Sequence, residues 1–164
     1  MIPWDYNLAF GGFHASDDVT GLLNMPIDSP VSGGDAKDRP MLAWIFEQEE
    51  YTELYHAYFM EFILEWFENG RFEKLVDGVS SMIAPYVKED PTKFISFEEF
   101  ETGVSTLKEF CLLRAESVKG QLDGTIGSTE ETQSSETLID AGNLKIDDMG
   151  FMNHSMGGQP RPRN

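Results

Sequence analysis

Tyr51-Thr52-Glu53-Leu54-Tyr55-His56-Ala57-Tyr58-Phe59-Met60-Glu61-Phe62-Ile63-Leu64-Glu65-Trp66-Phe67 is the stretch that decides the fold. Tyr51, Leu54, Tyr55, Tyr58, Phe59, Phe62, Ile63, Trp66 and Phe67 recur at i, i+3, i+4 and i+7, the repeat of one helix face. Glu50, Glu53, Glu61, Glu65 and Glu68 take the other face. Asn69-Gly70 follows, and a glycine there can adopt the left-handed conformation that ends a helix. A stripe this wide and this aromatic reads as core, because aromatic side chains dominate core burial.

The flanking sequence repeats the pattern. Phe72, Leu75, Val76, Val79, Met82, Ile83, Tyr86 and Val87 form a second stripe, with Pro85 expected to kink or shorten it. Ser96 opens a third helix, and Glu99 three residues later completes a capping box before Phe100, Val104, Leu107, Phe110, Cys111 and Val118. A shorter helix is expected from about Pro40 to Phe46, with Asp38 as N-cap and Pro40 in the first turn. Several such stripes on short connections predict helices packed against one another, a mainly α fold. A little β structure is expected at residues 1–8 and near 138–146.

The chain divides by texture. Residues 1–40 are rich in Gly, Pro, Asp and Ser and read as loops around a strand end. Residues 41–122 are the helical block. Residues 123–137 are polar and predict a mobile linker. Leu138, Ile139, Leu144, Ile146, Met149 and Phe151 make 138–152 a segment able to pack back onto the body. Residues 153–164 read as a flexible tail.

Charge narrows the partners. There are 29 acidic against 12 basic residues, a net charge of -17. Such a surface repels a phosphate backbone and anionic lipid, so neither nucleic acid nor membrane is an expected partner. Basic proteins remain open as partners, and so does a plain role in solubility. Cys111 is the only cysteine, so no internal disulfide forms and a reducing compartment is the simpler reading. No apolar run approaches the ~20 residues of a membrane span, and the start has no signal-peptide pattern.

Most catalytic signatures are missing. There is no G-x-x-x-x-G-K-[ST] or G-x-G-x-x-G loop, no H-E-x-x-H, no zinc-spaced Cys/His set and no G-x-S-x-G elbow. His14, His56 and His154 are far apart, and His56 is expected to be a solvated surface side chain. One segment differs: Ile2-Pro3-Trp4-Asp5-Tyr6-Asn7-Leu8-Ala9-Phe10-Gly11-Gly12-Phe13 reads as a strand end, an acid and an aromatic turn closed by glycines. A carboxylate just past a strand can hold Mg²⁺ against phosphates, although Asp-x-Asn is also a common turn.

That segment, from Met1 to Phe13, closely resembles the metal-binding segment of the CotH family of atypical kinases, associated with bacterial spore coats. Asn24-Met25-Pro26-Ile27-Asp28-Ser29-Pro30-Val31-Ser32-Gly33-Gly34, Asp38-Arg39-Pro40-Met41, the helix block and Leu138 to Gly150 also resemble the family. The resemblance implies the helical C-terminal lobe of an atypical kinase-like fold, from a protein that phosphorylates coat proteins with ATP and Mg²⁺. Asp5 matches the metal-binding Asp, and Asn7 is its candidate neighbour at the metal or nucleotide site. The Pro26 to Gly34 motif reads as a rigid loop without assigned chemistry.

The family's ATP-clamping lobe and catalytic Asp lie before this segment, so they are expected upstream of Met1. No catalytic residue is therefore assigned within the chain. The expectation is a C-terminal part that is inactive alone, binds Mg²⁺ and ATP weakly or not at all, and has the missing N-terminal lobe as one partner. The resemblance implies a location in the spore coat or in the cytoplasm of the sporulating cell. The alternative is a non-catalytic acidic helical module that docks basic spore-coat proteins.

Overall fold

A computed structural model describes residues 10, 18–31 and 34–150. Five α-helices and two 3-10 turns are formed among them, and no strand. The β segment expected at residues 1–8 lies outside the described residues. The one expected near 138–146 is replaced by turns that lead into a 3-10 turn, Ile146–Met149.

The helices begin where local chemistry directs. Helix α1, Val19–Leu23, is capped by Asp18, whose Oδ1 accepts from the Gly21 N–H at 2.8 Å. Helix α2, Pro40–Glu47, starts on Pro40, but its N-cap is Arg39 and not Asp38. Asp38 instead closes a 3-10 turn, Ala36–Asp38, so its backbone is already committed. Helix α3, Glu49–Trp66, follows after a one-residue corner at Gln48. The Thr52 hydroxyl donates to the Ile45 carbonyl at 2.8 Å across that corner. Gly70, at φ +69°, turns the chain into α4, Arg71–Glu89. Helix α4 continues through Pro85 and runs four residues beyond it. Helix α5, Phe97–Asp123, opens on the expected box: Glu99 N–H to Ser96 Oγ at 3.0 Å, and Ser96 N–H to Glu99 Oε2 at 2.7 Å. It ends on Gly124 at φ +82°.

Helix α5 is the axis of the molecule, packing against α1, α3, α4 and the Ile146–Met149 turn. Its buried side chains form two apolar clusters. Phe110 and Cys111 meet Leu23, Ala141, Leu144 and Ile146 in one. Ala115 and Val118 meet Ile27 and Ile63 in the other. Gly103 lets the C-terminal segment close on α5, since a Cβ there would lie 3.1 Å from the Asp148 carbonyl oxygen.

Two further expectations differ from what is observed. The aromatic stripe of α3 is covered along the edge facing α5 and the Ile27 loop, where Ile63 is buried, and near its start by Phe46 of α2, which meets Tyr55 edge to face. Tyr58 and Phe62 stay 62% and 50% exposed, because the stripe is wider than its neighbours cover. Residues 123–137, read as a mobile linker, are tied to the body. The Ile126 side chain is buried, Asp28 N–H donates to the Ser128 carbonyl at 2.9 Å, and Gln133 Nε2 donates to the Asn24 carbonyl at 2.6 Å.

Candidate functional site

The loop Asn24–Val31 is where polar contacts converge. It follows α1 directly and carries Met25-Pro26-Ile27-Asp28-Ser29-Pro30. Pro26 and Pro30 supply no N–H donor, so backbone bonds alone do not hold the loop. Side chains from elsewhere take their place. Arg114 Nη1 donates to the Leu23 carbonyl at 2.8 Å, Gln121 Nε2 to Met25 at 3.4 Å, and Tyr55 Oη to Ile27 at 2.9 Å. Gln121 Oε1 accepts from the Ile27 N–H at 2.9 Å. A loop braced this way holds one conformation, since breaking any contact strands a buried backbone group.

Asn24 is the centre of the brace. Its side chain uses both donor hydrogens and accepts twice at Oδ1. Nδ2 donates to the carbonyls of Thr20 and Ile139, each at 2.8 Å, while Oδ1 accepts from Ser117 Oγ at 2.9 Å and Ile139 N–H at 3.0 Å. Helix α1, helix α5 and the segment after the polar stretch are thus joined by one side chain.

Further along the loop, Asp28 Oδ1 lies 2.6 Å from His56 Nε2. His56 is therefore a bonded partner of the loop and not the solvated surface residue expected. Beyond this pair opens a cleft of about 370 Å³, lined by Asp28, Ser29, Asp35, Lys37, Glu47 and Glu131 among others. Lys37 hydrogen-bonds Asp35 and holds its carboxyl below the ordinary value. Burial, reinforced by the Asp28 charge, pushes the Tyr55 phenol up to about 12. Burial pulls the Arg114 guanidinium down to about 10, opposed by Tyr55. A cation with so little water around it strengthens the hydrogen bond it gives to Leu23.

The two residues singled out for metal chemistry, Asp5 and Asn7, lie outside the described residues, and so do His14 and His154. Both Asp5 and Asn7 carry oxygen donors, the ligand type that Mg²⁺ takes. Among the described residues no group of three His, Cys, Asp or Glu side chains is spaced to hold a metal ion. No helix among them is long and apolar enough to cross a membrane.

Sequence reasoning missed the bracing residues Arg114, Ser117, Gln121 and Gln133. A signal was present for three of them. Phe110, Arg114, Ser117 and Gln121 recur at helical spacing along the face of α5 that carries the core, so polar groups there must find partners inside.

No curated protein and no solved structure gives a significant match to this chain. The family described as CotH kinase protein matches residues 1–118, a span that takes in the Asp5 segment, the braced loop, α2 to α4 and most of α5. With that match across most of its length, the chain belongs to the CotH kinase protein family.

Proposed function

We propose that this chain is the helical C-terminal part of a CotH-type protein kinase that phosphorylates spore-coat proteins, with Asp5 and its neighbour Asn7 as the side chains that hold Mg²⁺. The observation that carries this reading is the family match beginning at residue 1, across the Trp4-Asp5-Tyr6-Asn7 segment. Mg²⁺ held there would offset the charge of the phosphates during transfer. The part taken by this chain is to present a carboxylate oxygen and a carboxamide oxygen on one short segment.

Phosphoryl transfer is mostly positioning, and it needs a lysine, its acidic partner, a base and the metal Asp together. Of these, only the metal Asp is assigned in the 164 residues, so we take them to be inactive by themselves. Calorimetry with Mg-ATP tests the reading. Weak binding that is lost in Asp5→Ala, without turnover, is expected. Tight binding with phosphate transfer, or binding indifferent to Asp5→Ala, overturns it.

A second reading is favoured by charge. A net charge of -17 on a folded helical body suits docking of basic coat proteins. Its test is a Lys/Arg-rich peptide titrated at low and high salt, where binding should weaken as salt rises. Equal affinity at both salts removes electrostatic docking.

A further inference from the structure

The outer face of α3 carries an apolar ridge half-open to solvent. Tyr51, Leu54, Tyr58 and Phe62 are 43%, 49%, 62% and 50% exposed. Their spacing of three, four and four residues sets them in one line along the helix, about 16 Å long at 1.5 Å per residue. The ridge continues onto α2, where Trp44, 49% exposed, meets Tyr51 edge to face at 5.1 Å between ring centres. Five half-exposed large side chains present roughly 500 Å² of mostly apolar surface, at the upper end of what a monomer leaves open.

The border of the ridge is acidic on one side. The helical rotation of about 100° per residue sets Glu50 and Glu61 along the same flank, with Glu53 further round toward the back of the helix. All three are exposed, and none makes an ion pair among the described residues. Glu65 differs, being paired with Arg71, which also lies over the Trp66 ring.

The geometry points to α3 as the docking face for an amphipathic helix of another protein, about three turns long, with Lys or Arg along one edge of its apolar stripe. The assignment rests on the docking reading above and names its surface and the shape of its partner. Length comes from the ridge, and the cationic edge from the unpaired glutamates. A second copy of this chain is the poorer occupant. It brings a further -17 of charge, and antiparallel pairing of the ridge sets like flanks together.

A labelled 14-residue Leu/Lys peptide, patterned as an amphipathic helix, is titrated against the full chain by fluorescence anisotropy. A peptide of the same composition in scrambled order is the control. The patterned peptide is expected to bind about 10-fold tighter or more, since apolar anchors in register dominate such contacts. Leu54→Glu/Tyr58→Glu should bring it down to the scrambled level, with circular dichroism and the urea midpoint unchanged because both side chains are exposed. Glu50→Gln/Glu61→Gln should weaken binding and flatten its salt dependence. Patterned binding that survives Leu54→Glu/Tyr58→Glu moves docking to another surface and overturns the assignment while sparing the docking reading. If wild type binds neither peptide, the docking reading itself fails. A dimer in sedimentation that the same double variant dissolves would make a second copy the occupant.

Discussion

Replacing Asn24 with alanine should cost more than any other single change in the braced loop. The residue is 1% exposed and makes four side-chain hydrogen bonds to Thr20, Ser117 and Ile139. Asn24→Ala leaves the Ile139 N–H and carbonyl without these partners and opens a gap the size of an amide. Ser117 keeps one bond, since its hydroxyl oxygen still accepts from Gln121 Nε2 at 3.1 Å, while its O–H loses its acceptor. At about 1–3 kcal/mol for each stranded buried group, with partial relief from entering water, the loss is about 3–5 kcal/mol. That is a large part of the ~5–15 kcal/mol that holds an ordinary domain together.

Urea denaturation followed by circular dichroism measures it, and the midpoint should fall by about 2 M for an ordinary denaturant slope. Ser117→Ala should cost about 1 kcal/mol, and the double variant should fall short of the sum because the two share a bond. A loss below about 1 kcal/mol for Asn24→Ala, or strict additivity with Ser117→Ala, would refute the reasoning.

Three further outcomes are expected. Gly127→Ala forces a Cβ to within 2.3 Å of the Thr132 backbone, so the 127–133 turn must open; limited proteolysis should cut residues 123–137 faster, with about 1–3 kcal/mol of stability lost. Burial lifts the Cys111 thiol from 9.0 to about 11, so at pH 8 its thiolate fraction, and its labelling rate with iodoacetamide, should be about 100-fold below that of the unfolded chain. The Tyr55 phenol is raised from 10.0 to about 12 in the folded state. Folding therefore holds its proton: its stabilising contribution is complete below pH 10 and is lost as pH rises through about 12. Arg114, depressed from 12.5 to about 10, acts in the opposite sense, so the measurement is the difference in urea midpoint between wild type and Tyr55→Phe. That difference should shrink as pH rises above 10.

Much of the local structure was legible. The capping box of Ser96 and Glu99, the break at Gly70 and the helical repeats of α3 to α5 depend on neighbours within a few residues, so spacing reveals them. Local signals misled where two of them compete. Asp38 is a good capping residue, but the Ala36–Asp38 turn had taken it, and the cap passed to Arg39. Pro85 did not end α4, which runs on to Glu89. The family was legible from residue identities at 1–13 and 24–34. The bracing of the second motif was not, because Arg114, Gln121 and Gln133 lie far from it along the chain.

The sequence by itself determined the mainly α class, the ends of the longest helix and the membership in the kinase family. Each is carried by short-range pattern or by residue identity. Only the tertiary structure decided which edge of the α3 stripe is buried, that His56 serves Asp28, and that a polar stretch after α5 is held in place. A helix repeat states that a face is apolar without stating how much of it a neighbour will cover. That depends on the width of α5 and the path of the Ile27 loop, which are set only when the chain closes on itself.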